Sequence, residues 1–134
     1  MKFKFVEHTA DIGIEAYGEN MKETFANAAL GLFEIMIDTT KVEEKETIEI
    51  TAKGEDIQSL LYDFLEQFLI IHDTDNLVFS RVVVNKLTDD FKIEATAYGE
   101  EFDTNKHEGR SGIKAITYQR MNITDKKIFY LVDI

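Results

Sequence analysis

A chain of 134 residues suits one domain, and its 44% hydrophobic content, with ten Phe and five Tyr, supplies a packed core despite 31% charged residues. The net charge of −11 sets the surface as a whole against nucleic acid and anionic lipid. Without Cys there are no disulfides, thiolate zinc sites or cysteine nucleophiles; without Pro or Trp, loops must be shaped by Gly, Asn and Asp. Residues 2–6 alternate charge and bulk, which predicts a strand and not a signal peptide. The longest apolar run, Phe68-Leu69-Ile70-Ile71, is far too short to span a bilayer, so the expectation is a soluble, cytoplasmic protein with no membrane partner.

Residues 12–18 predict a second strand, with Ile12, Ile14 and Ala16 on one face and Glu15 and Tyr17 on the other. Asn20 with Glu23 three residues on has the capping-box pattern, and Met21, Phe25, Ala28, Ala29, Leu32, Phe33 and Met36 follow at helical spacing to about Ile37. Asp38-Thr39-Thr40 ends this helix. A third strand is expected over 46–52, then a turn at Lys53-Gly54-Glu55 and a second helix over 56–71 with Leu60, Leu61, Phe64, Leu65 and Phe68 in its stripe. Two hairpins follow, 77–87 with 91–98 and 113–123 with 127–134, separated by a polar, glycine-punctuated segment at 102–112 that reads as an exposed loop. The order ββαβαββββ predicts a single α+β domain over 1–134: a largely antiparallel or mixed sheet with two amphipathic helices packed on one face.

The chemistry-bearing residues gather at the two extremities. Asp133 stands in an apolar strand one residue before Ile134, so its carboxylate lies next to the main-chain terminal carboxylate. Two negative groups this close repel unless a cation or basic partner intervenes. If the first strands lie beside the last, Asp11 joins them, and such oxygen ligands suit calcium, magnesium or manganese. Asp38, at a helix C-terminus where the dipole disfavours negative charge, is a further candidate. Spacing alone favours capping or turn roles for Asp11 and Asp38, and a solvated terminus competes for Asp133. Lys114 shares a strand face with Ile116 and Tyr118, placed to pair with an aspartate or hold a phosphate, although such a lysine is more often a snorkelling edge residue. His8, His72 and His107 are dispersed, which argues against a histidine metal site; His8 is placed to orient Asp11. There is no phosphate-binding or dinucleotide glycine loop and no nucleophile elbow.

Taken in order, Glu7-His8-Thr9-Ala10-Asp11, Ala28-Ala29-Leu30-Gly31-Leu32-Phe33, Asp56 with Ser59-Leu60-Leu61, Gly99-Glu100-Glu101-Phe102-Asp103, Lys106-His107, Lys114-Ala115-Ile116-Thr117-Tyr118 and the closing Asp133-Ile134 resemble the archease family. That resemblance implies an accessory protein, not an enzyme, which activates the RtcB-type RNA ligase of tRNA splicing. The implied action is to promote guanylylation of the ligase with GTP and metal and to sustain multiple turnover, with RNA contacted only indirectly. It further implies a divalent cation, calcium first with magnesium or manganese as alternatives, held by Asp11, Asp133 and Ile134, with Lys114 needed for activation and Asp38 a weaker member. Gln119 stands where many relatives have His, so no proton-transfer role is expected there. The competing readings are a metal-dependent chaperone or scaffold for nucleic-acid-processing enzymes, and a small metal-dependent hydrolase.

Overall fold

The computed structural model describes residues 1–7 and 10–134. His8 and Thr9, and with them the reading of His8 as a neighbour orienting Asp11, lie outside the described residues. The elements run β1 (Phe3–Glu7), β2 (Asp11–Tyr17), α1 (Met21–Met36), β3 (Glu46–Lys53), α2 (Ile57–Asp75), β4 (Leu77–Leu87), β5 (Lys92–Glu101), β6 (Ala115–Ile123) and β7 (Lys127–Asp133), with a short 3-10 turn at Thr39–Lys41. This is the ββαβαββββ order that the periodicity predicts. All strand pairs are antiparallel, but they form two sheets, β1-β2-β7-β6 and β3-β5-β4. The expected single covered face is therefore corrected. Each helix bridges the sheets, α1 against β2 and β4, α2 against β3 and β6.

Local chemistry explains the helix ends. The Asn20 side chain accepts from the Glu23 N–H at 2.9 Å, and the Glu23 carboxylate reaches back to the Glu19 N–H. Asp56 and Ser59 form a reciprocal capping box at the start of α2. The helix runs past residue 71 to Asp75 because Asn76 takes the left-handed conformation (φ 57°) that closes it.

Between the sheets lies one core. Ile14 and Ala16 of β2 and Ile128, Tyr130 and Val132 of β7 are buried on one face. The buried Tyr130 hydroxyl donates to the Ala28 carbonyl at 2.7 Å, so it is satisfied, and burial pushes its pKa well up. Phe33 packs edge-on against Phe68 and Phe79, tying both helices to β4. Gly99 permits the closest backbone approach: a Cβ there would stand 1.9 Å from the Val78 carbonyl oxygen, beside the register shift between Phe79 and Arg81. No helix of the described residues is long and apolar enough to cross a membrane.

Candidate functional site: a carboxylate pair at a strand end

The pairing of β2 with β7 runs in register from Tyr17 opposite Lys127 to Asp11 opposite Asp133. Directly opposed residues on antiparallel strands share a face, with Cα atoms roughly 4.5–5.5 Å apart. The two aspartates predicted to converge are thus cross-strand partners. Their face is the one opposite Ile12, Ile14 and Val132, so both carboxylates point away from the core. Ile134 is tied in by its N–H, which reaches the Ala10 carbonyl at 3.4 Å. Among the described residues, Asp11 Oδ1 is buried and finds no hydrogen-bond donor. Nor does any Lys or Arg among them form an ion pair with Asp11 or Asp133. Like charges directly opposed across a ladder are destabilising, and an orphaned buried carboxylate oxygen adds to that cost. This donor set fits a hard cation, which would satisfy the orphan and cancel the repulsion together. Among the described residues, no three His, Asp or Glu side chains converge as a metal-ligating group.

Lys114 and Asp38 approach the pair through a single strap of chain. Asp38 N–H donates to Glu108, Arg110 N–H to Met36, Ser111 N–H to Ile35 and Lys114 N–H to Asp133, the last at 2.8 Å. The Arg110 and Ser111 donors occupy carbonyls that the end of α1 leaves open. From Ser111 to Lys114 the chain spans roughly 11 Å at most, so the end of α1 and the aspartate pair belong to one end of the molecule. Lys114 precedes β6 instead of lying within it, and its exposed side chain is free of the alternation predicted for it. Asp38 is neither aspartate's strand partner. Its carboxylate accepts from the Thr40 hydroxyl (2.6 Å) and N–H (3.0 Å), and these bonds, helped by Arg110 and Lys41, hold its pKa below the usual value. That is the capping role that spacing favours.

Sequence reading missed a second polar cluster. The 102–112 segment is not uniformly solvated: His107 is only 2% exposed, and its neighbour Glu100 on β5 only 5%. His107 Nδ1 accepts from the Asp103 N–H at 2.9 Å, which places the ring proton on Nε2, 3.0 Å from Glu100. Lys106 Nζ lies 2.9 Å from Glu100 and 2.7 Å from Glu43, while Arg110 pairs with Glu34. Lys106, His107 and Arg110 are therefore engaged within the chain. The available signal was Glu100 seven residues before a His, too slight to mark burial.

Burial acts to raise the Glu100 pKa, but the Glu43 N–H, Lys106 and His107 outweigh it and bring it from 4.5 down to about 2. A folded-state value below the unfolded one stabilises the fold above the unfolded pKa, and that contribution is lost as pH falls through the folded one. Stability measured by denaturant titration is therefore expected to decline between pH 4.5 and about 2. Glu100→Gln should flatten this limb; an unchanged acid profile would contradict the assignment.

Fold and site together describe a small α+β protein with a paired-carboxylate strand end and an intramolecularly anchored loop. The chain matches the Archease protein family (MTH1598/TM1083) over residues 3–134, and it belongs to that family. It is 47% identical over 131 residues to "Protein archease" of Sulfurisphaera tokodaii, covering 98% of this chain and 94% of the relative. Against the protein of that name from Pyrococcus abyssi it is 46% identical, covering 91% and 87%. The solution structure of Methanobacterium thermoautotrophicum protein 1598 superposes with a TM-score of 0.84 at 39% identity, covering 99% of both chains.

Proposed function

We propose that the protein is a non-catalytic activator of an RtcB-type RNA ligase in tRNA splicing, promoting GTP- and metal-dependent guanylylation of the ligase and its repeated turnover. Family membership supports the partner, through what the archease resemblance implies. The observation that carries the site is the Asp11–Asp133 cross-strand pair with its orphaned Asp11 oxygen. In this reading Asp11, Asp133 and the main-chain carboxylate of Ile134 hold a divalent cation, calcium foremost, with magnesium or manganese able to replace it. When bound, the cation supplies positive charge that anionic groups of the partner's site can approach. Lys114, exposed beside Asp133, offers a point charge to a phosphate or an acidic side chain of the partner. Asp38 keeps the adjoining helix end and strap in place. RNA contact is indirect, in keeping with the net charge of −11.

The test is ligase–GMP formation with purified cognate ligase, GTP and manganese, with and without this protein. A rise in yield and in turnovers per ligase is the expected result. No stimulation would contradict the proposal, as would GTP consumption by this protein alone. Extending the chain by one glycine after Ile134 moves the terminal carboxylate and should diminish stimulation if that group is a ligand.

A further inference from the structure

Beside the aspartate pair lies a partly apolar groove, of whose lining the activator reading uses only Lys114. Five large hydrophobic side chains are prominently exposed among the described residues, and two of them, Ile70 (46%) and Tyr118 (54%), fall on one face. Tyr118 is stacked on Tyr62 of α2 with ring centroids 4.5 Å apart and planes 14° from parallel. Tyr62, Leu69 and Ile70 then line a groove of about 150 Å³ between α2 and β6.

A break in the ladder puts Tyr118 there. The β6–β7 register jumps from Thr117 opposite Leu131 to Asn122 opposite Phe129, so four residues face one. Arg120 takes a left-handed φ of 60°, and the Thr117 hydroxyl accepts the Gln119 N–H to close the bulge. Since β6 is the last strand of its sheet, the bulge blunts a free edge against further strand pairing while holding an aromatic ring outward.

Charge indicates the occupant. Helix α2 carries Asp63, Glu66, Asp73 and Asp75 and not one Lys or Arg. Glu66 and Asp73 flank Ile70 in the groove, spaced to share its helix face. Partial burial raises the Tyr118 pKa, and Tyr62 and the negative charges of Asp56, Glu66 and Asp63 add to it. An exposed apolar and aromatic centre with a charged rim is the anatomy of a protein interface. The face is continuous with the carboxylate pair, because Ala115 is opposite Asp133 and Lys114 bonds to it.

We propose that the α2–β6 face, centred on Ile70 and Tyr118, docks a protein partner that presents an apolar side chain ringed by Lys or Arg, and so sets the aspartate pair against that partner's site. The inference rests on the activator reading, under which the partner is the ligase.

Binding of purified ligase to wild type, Glu66→Lys/Asp73→Lys and Tyr118→Ala tests it by calorimetry at two salt concentrations, with circular dichroism as the fold control. Each variant is expected to bind roughly tenfold or more weakly. The charge-reversed one should also lose most of the salt dependence. Calcium affinity should be unchanged in both. If wild type does not bind the ligase, the docking face falls together with the activator reading. If wild type binds and both variants match it within about twofold, the docking face is wrong and the activator reading stands. The docking face is equally overturned by variants that bind ligase normally but lose self-association or RNA binding.

Discussion

Asp11→Ala is expected to leave the yield of ligase–GMP at the level of ligase alone, and Asp133→Ala to do the same. The reason is arithmetic as well as position. Two unit charges 4 Å apart at an effective dielectric near 20 interact by about 4 kcal/mol, and a dication doubles each attraction before dehydration offsets part of it. Removing one of two facing carboxylates should therefore weaken the cation by on the order of 100-fold, or about 2.7 kcal/mol. The paired substitution should do little more than either single one, because a lone carboxylate at a strand end is a poor site. Calcium titration and the guanylylation assay should lose their signals together. Wild-type stimulation by either alanine variant would separate the carboxylate pair from function. Neither residue supports the core, since both side chains face away from it, so the variants should stay folded.

Phe33→Ala has the largest effect expected on the fold itself. Phe33 is fully buried, and its ring meets Phe68, Phe79 and His72 edge-on. It lies where both helices and the second sheet meet, so no single element can move in to refill the space. A cost of about 3–5 kcal/mol is expected, large against the roughly 5–15 kcal/mol that holds a domain of this size together. Chemical denaturation with an unchanged slope and a lower midpoint is the signature sought. A loss below about 1 kcal/mol would mean that the site collapses, and that the aromatic cluster is not the centre of the core.

The order of elements was legible because each has a clean period. Alternation through Ile12, Ile14 and Ala16 and the 3-4 stripe of α2 left little choice, and the helix caps at Asn20 and Asp56 are local chemistry. What local pattern does not encode is which edges meet. The partition into two sheets depends on β2 taking β7 as its neighbour and on β3 pairing with β5. Convergence of the two ends could be expected from the apolar run before Asp133, but facing registry comes from the whole ladder down to Tyr17 and Lys127. Two features escaped for a common reason: their cause is tertiary. His107 looks like a loop residue until Glu100 and the Asp103 N–H satisfy both ring nitrogens. The bulge at Tyr118 breaks an alternation that sequence presents as regular. Asp38 turned out to cap its own turn, which spacing favoured.

Thermal unfolding of wild type and Asp133→Asn, each in chelator and in saturating calcium, bears most directly on the carboxylate pair. Calcium at 100 times its dissociation constant should stabilise wild type by about 2.7 kcal/mol, a rise in Tm of roughly 10 °C. In chelator, Asp133→Asn should melt at or slightly above wild type, since it removes a cross-strand repulsion of up to about 1 kcal/mol, and calcium should no longer raise its Tm. A wild-type Tm indifferent to calcium, magnesium and manganese, or an asparagine variant that keeps the full rise, would contradict a cation held between Asp11 and Asp133.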